Sequence, residues 1–177
     1  MKTQRSPFGL TIIRGLLPLF LLLALIAPLW MYYSSETFFL DNLLKFAEVE
    51  RAGEKMTSLA PLRLFILLIV LYLPAALFAF ALWQGMKVTR SVKQHRILSL
   101  PLACSVRKIA IAMLGMGILL PVCRFLIPLV VYWPQRYFQV TLLLSDVVLL
   151  LVGGLLFVTF HSMLEGIKAE EENREFV

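Results

Sequence analysis

Two ionisable residues stand inside otherwise uncharged apolar runs of this chain. Arg124 interrupts the run Ile109 to Gln135, and Asp146 the run Tyr137 to Leu164. A guanidinium and a carboxylate in such places can hold each other, bind a charged solute or pass protons. Either one alone at the centre of a membrane helix costs about 2.5–3.5 kcal/mol on insertion scales, so each calls for a partner or a use. Other groups with reactive potential are sparse. The chain has no Gly-rich phosphate loop, no nucleophile elbow, no His/Glu metal motif and no second carboxylate in an apolar run. Ser105, Ser145 and Thr159 have no neighbouring base in sequence that would single them out. Cys104 and Cys123 are the only cysteines. They would lie ~28 Å apart on a helix, too far for a disulfide and without metal-ligand spacing, and so read as small packing residues. His161, near the end of the last run, reads as an interfacial residue rather than a proton relay. No catalytic residue, metal or cofactor is therefore expected, and the protein reads as a non-enzyme.

The elements that must position Arg124 and Asp146 follow from composition. The chain has 177 residues, 60% of them hydrophobic, and a mean hydropathy of +0.85. The apolar residues are massed in blocks rather than spread in amphipathic patterns. Each block exceeds the roughly 20 residues that cross a bilayer as a helix. Crossings are predicted at about 12–33, 62–84, 109–132 and 138–163. Continuous rather than alternating hydrophobicity argues against a membrane β-barrel. The predicted fold is all-α: one polytopic membrane domain over residues 1–177, a four-helix bundle with a short amphipathic external helix. The first block has a basic start, but it carries Pro18 and Pro28 and ends in Trp30, Tyr32 and Tyr33. Those aromatics resemble an interfacial belt, so the block reads as a retained anchor rather than a cleaved signal peptide.

Charge assigns the sides. The amino-terminal arm, the inner loop 85–108 and the tail 165–177 together carry eleven Lys and Arg, against five in the loop 34–61 with its flanking Arg63 and the short turn near Gln135. The positive-inside rule places both termini in the cytoplasm. The inner loop carries Lys87, Arg90, Lys93, Arg96, Arg107 and Lys108 and no acid, a pattern suited to anionic lipid headgroups or a protein partner. It has no aromatic stacking platform, which makes nucleic acid an unfavourable partner. Ser99 and Pro101 suit the start of a helix leading into the third crossing. In the external loop, Phe39, Leu43, Phe46 and Ala47 follow helical spacing, and Asp41, Lys45 and Glu48 fall on other faces. This predicts a helix lying on the outer surface or folded over the bundle mouth. Gly53 to Ser58 reads as a polar break before Pro61 opens the second crossing. The acidic tail is predicted to continue the last helix and to face the basic loop.

A hairpin turning near Gln135 places Arg124 and Asp146 each 11 residues from the turn, hence both ~16 Å deep. Gly117 and Gly153 are each seven residues beyond a charge, on the same helical face, and each 18 from the turn. This predicts a seam of one ion pair and one close glycine contact, through which helices associate. Pro121 and Pro128 flank Arg124 and offer a candidate hinge, because each frees a backbone carbonyl. The alternative use of the same residues is a mid-membrane polar site in a small transporter or channel subunit.

Two stretches carry a family resemblance: ALWQGMKVTRSVKQHRILSLPLACSVRKIAIA, residues 81–112, and DVVLLLVGGLLFVTFHSMLEGIKAEEENREFV, residues 146–177. The chain resembles a bacterial membrane family catalogued as domain of unknown function two-nine-seven-five. The resemblance implies a four-helix fold, sometimes a neighbouring small helix-turn-helix regulator, and no catalytic residues. The expectation is thus an inner-membrane interaction or regulatory protein, contacting membrane lipids and a protein partner or further copies of itself.

Overall fold

A computed structural model describes residues 8–49, 59–93, 99–133 and 140–175. They form α1 (Phe8–Ser34), α2 (Glu36–Phe46), α3 (Pro61–Lys93), α4 (Leu100–Val131) and α5 (Leu144–Glu175), with no strand among the described residues. All but α2 are long and apolar enough to cross a membrane, with mean hydropathies of 2.1 to 2.7. The chain is an all-α membrane protein with four crossings and a short amphipathic helix between the first two. Lys2, Arg5, Gly53 to Ser58, Arg96 and the turn at Gln135 and Arg136 lie outside the described residues, as do the side chains of Arg14, Lys93 and Arg174.

Helix limits differ from expectation at the charged ends. No proline follows Trp83 before Pro101, and the single Gly85 is tolerated inside a helix, so α3 continues well past its apolar run and carries Lys87 and Arg90 on helix. Ser99 occupies the position before α4 with extended backbone (φ −139°, ψ 138°), but its hydroxyl makes no capping bond, and Pro101 sits in the first turn. Of the basic loop predicted over 85–108, residues 85–93 therefore belong to α3 and 100–108 to α4, and Arg107 and Lys108 ride on α4. The acidic tail, by contrast, prolongs α5 to Glu175 as expected.

Close contacts run α1 to α3, α3 to α4 and α4 to α5, and α2 adds contacts to α1 and α4. No close contact joins α1 to α4 or α5, or α3 to α5, among the described residues. The four crossings form an open row rather than a closed ring. The edge helices turn large apolar residues outward, among them Leu19, Phe20 and Leu22 on α1 and Leu151, Leu155 and Val158 on α5. Such faces would drive aggregation in water but are ordinary against lipid. Aromatic residues mark the two surfaces: Trp30, Tyr33 and Trp133 are exposed at the α2 end and Trp83 at the other. At the α2 end Arg63 donates to the Trp133 carbonyl at 3.2 Å. Arg63 and Trp83 are 20 residues apart on α3, ~30 Å, which matches a hydrocarbon core.

The short α2 takes its apolar face into protein rather than toward lipid. Ser35 separates it from α1 and caps it, its hydroxyl accepting from the Phe38 N–H at 3.0 Å. At the far end Glu48 adopts φ 56°. Its N–H donates to the Lys45 carbonyl at 3.0 Å and that of Val49 to Leu44 at 3.0 Å, the double closure that ends a helix in a left-handed residue. Val49 is carried back beneath the helix and buried with Phe39, Leu40, Leu43, Leu44 and Ala47, against Leu67 and Val70 of α3 and Cys123, Ile127 and Val131 of α4. Each large side chain so buried contributes roughly 1.5–3 kcal/mol relative to water, more than either cap. Of the two placements expected for this helix, the structure has the one folded over the mouth of the crossings.

Candidate functional site: the Arg124–Asp146 seam

Arg124 lies seven residues before the end of α4, and Asp146 lies in the first turn of α5. Arg124 Nη1 and Asp146 Oδ2 are 2.5 Å apart, with the side chains 4% and 0% exposed. The same Oδ2 accepts from the Leu143 backbone N–H at 3.0 Å, while the Asp146 N–H donates to the Leu143 carbonyl at 3.0 Å. An acid at the third helical position reaching back to the residue before the helix is half of a capping box, and its charge is favoured by the helix dipole. The guanidinium also stacks over the Phe46 ring of α2, 5.4 Å from its centroid. The pair is thereby enclosed by α4, α5 and the last residue of α2. Arg124 Nε and Asp146 Oδ1 are buried without a hydrogen-bond partner among the described residues.

This corrects the expectation of a last crossing that begins near residue 138 with Asp146 well inside it. Residues 140–143 are not helical, and α5 opens at Leu144. The carboxylate's capping of Leu143 gives the physical reason: Asp146 starts the helix instead of interrupting it. Arg124 in turn sits ~10 Å from the end of α4.

The glycines lie on the same seam, but not against each other. A Cβ on Gly117 would come within 2.7 Å of Leu150 Cγ and 3.1 Å of the Asp146 carbonyl oxygen. One on Gly153 would come within 2.8 Å of Leu114 Cγ and 2.9 Å of the Leu114 nitrogen. Each glycine receives a leucine from the opposite helix, and the two backbones approach closely because neither glycine has a side chain. Equal spacing from the turn predicted Gly117 facing Gly153. The actual register is offset by about one helical turn, and the long arginine side chain spans that offset to reach Asp146. Gly154, next to Gly153, would place a Cβ in open space.

Pro121 and Pro128 lie inside an uninterrupted α4. Each lacks the N–H that would bond the carbonyl four residues back, at Gly117 and Arg124 respectively. Pro128 is itself fully buried, and its carbonyl accepts from the Tyr132 N–H at 2.9 Å.

Three features of the interior escape sequence reasoning. Pro74 in α3 leaves the Val70 carbonyl without its helical donor, and the buried Cys123 thiol donates to that carbonyl at 3.5 Å. The free carbonyl was a signal available from Pro74, but its partner 53 residues away was not. Tyr72 of α3 donates through its hydroxyl to the Leu25 carbonyl of α1 at 3.0 Å. Gln84 is 3% exposed, with its Oε1 unpartnered among the described residues.

The described basic residues of the predicted inner loop lie at the opposite end of the molecule from α2, Lys87 and Arg90 on α3 and Arg107 and Lys108 on α4. Lys87 Nζ stands 5.9 Å from the Trp83 ring centroid on its own helix. Arg107 stacks on Phe160 of α5, at 5.7 Å. Arg90 and Lys108 are exposed. Among the described residues no three His, Cys, Asp or Glu side chains converge as a metal-binding group.

Fold and seam define a small polytopic membrane protein whose intramembrane charges pair with each other. A family of proteins of unknown function, DUF2975, matches residues 47–177. The match covers well over half of the chain, from the end of α2 onward and including the whole seam, and the chain belongs to this family. Comparison with curated proteins and with solved structures finds no match.

Proposed function

We propose that this protein is a non-enzymatic interaction or regulatory subunit of the bacterial inner membrane, with both termini in the cytoplasm. The observation that carries the reading is the enclosure of Arg124 and Asp146. Groups that handle a solute must meet it, whereas these are 4% and 0% exposed and bonded to each other. The carboxylate also serves the start of α5. Their role is then to fix α5 on α4. The open row leaves α5 as an edge helix, and Gly154 offers a notch where a partner's helix can approach. The excess of Lys and Arg on the terminal side supports the orientation.

A charge exchange tests this. Arg124→Asp and Asp146→Arg should each lower the folded yield in membranes, and the double exchange should restore most of it. Restoration should fall short by about 1–2 kcal/mol, because arginine cannot cap Leu143 and opposes the dipole of α5. Failure of the double exchange to improve on either single change would refute the pairing role.

The second reading is a small transporter or channel subunit with α2 as a lid over the pair. It draws on the unpartnered Arg124 Nε and Asp146 Oδ1 and on Pro121 and Pro128. Recovery of folding in the double exchange without recovery of an ion or solute flux would favour it.

A further inference from the structure

We propose that the groove between α1 and α3, at the end opposite α2, binds the headgroup of an anionic glycerophospholipid. The two helices part here around a cavity of about 380 Å³ lined by Gly15, Pro18, Met86 and Arg90. Gly15 leaves the α1 wall bare, with nothing within 4 Å of a Cβ placed on it. Arg90 takes part in no ion pair or hydrogen bond among the described residues, so its guanidinium is available to a phosphodiester, which it can engage through two N–H groups. Lys87, one turn earlier on α3, is held over Trp83 and supplies a second cation at this end of the helix. Trp83 is half exposed, as suits a residue at the headgroup boundary. Among the described residues no carboxylate lines the cavity. The acids of the tail lie on α5, at the other edge of the row, which touches neither α1 nor α3. From the groove toward the membrane interior, α1 exposes Leu19, Leu22 and Leu23, an apolar track for acyl chains. Basic pockets between membrane helices on the cytoplasmic side recognise anionic headgroups in this way. The inference depends on the chain's orientation in the membrane and is independent of the interaction reading.

The full-length protein, purified in a mild detergent, is titrated with phosphatidylglycerol, phosphatidylcholine or inorganic phosphate and read by native mass spectrometry. Phosphatidylglycerol is expected to bind in preference to phosphatidylcholine. Arg90→Gln should weaken it about fivefold to tenfold, the effect of one cation at the headgroup level. Gly15→Leu, which adds a side chain where there is room for it, should weaken binding by filling the groove. Arg63→Gln, at the far end of α3 where the guanidinium donates to the Trp133 carbonyl, should leave binding unchanged. Equal binding of both lipids, or wild-type affinity in Arg90→Gln, overturns the proposal. Displacement of the lipid by inorganic phosphate at equal concentration also overturns it, since the site would then be a phosphate site and not a lipid site.

Discussion

Replacing Asp146 by Asn removes one charge and little else. The amide oxygen can still accept from Leu143, so the start of α5 keeps its cap. Arg124, 4% exposed, loses the carboxylate it pairs with. Breaking a buried ion pair from one side costs about 3–5 kcal/mol. Arg124→Met leaves the Asp146 carboxylate buried but still bonded to the Leu143 N–H, so its cost should lie at or below the bottom of that range, about 2–3 kcal/mol. The double variant strands no charge, and methionine refills the arginine stem. It should fall within about 1–2 kcal/mol of the wild type, giving a coupling energy of roughly 3 kcal/mol or more. Equilibrium unfolding in mixed micelles of a mild detergent and dodecyl sulfate, followed by tryptophan fluorescence, measures all four proteins. Trp30 and Trp133 near the seam end and Trp83 at the other report on both halves of the row. Single variants within 1 kcal/mol of the wild type, or a double variant as unstable as the sum of the two, would refute the argument that the pair holds α5 to α4.

Two further outcomes follow from the packing. Gly153→Ala should destabilise by about 1–3 kcal/mol in the same unfolding assay, because its Cβ meets the Leu114 backbone nitrogen, which cannot rotate away. The adjacent Gly154→Ala meets nothing within the chain and should be neutral or stabilising, which makes it the control. Cys123→Ala should cost about 1 kcal/mol by leaving the Val70 carbonyl buried and unpaired, whereas Cys123→Ser keeps a donor and should be tolerated.

The crossings were legible because a bilayer imposes a length and an apolarity that composition states directly. That the two intramembrane charges share one seam was also legible, since each is too costly to leave alone. Their register was not. Counting from Gln135 assumed two uninterrupted helices, but Asp146 begins α5 and leaves residues 140–143 outside it. Gly117 and Gly153 were placed on the correct faces by helical phase, yet each meets a leucine, because the side chain of Arg124 absorbs an offset that residue counting cannot see. The open row was hidden for a related reason: an apolar helix edge reads alike in sequence whether it faces lipid or another helix.

Arg124 and Asp146 show where the division falls. The sequence by itself determined that both had to be neutralised within a membrane, because the energy of an uncompensated charge there depends on residue type and depth alone. Only the tertiary structure decided that one carboxylate oxygen meets both the guanidinium and the Leu143 N–H, and that Phe46 of α2 closes over them. Those contacts depend on where a helix starts and which side chain reaches across a gap. Such choices are made by packing between segments distant in the chain.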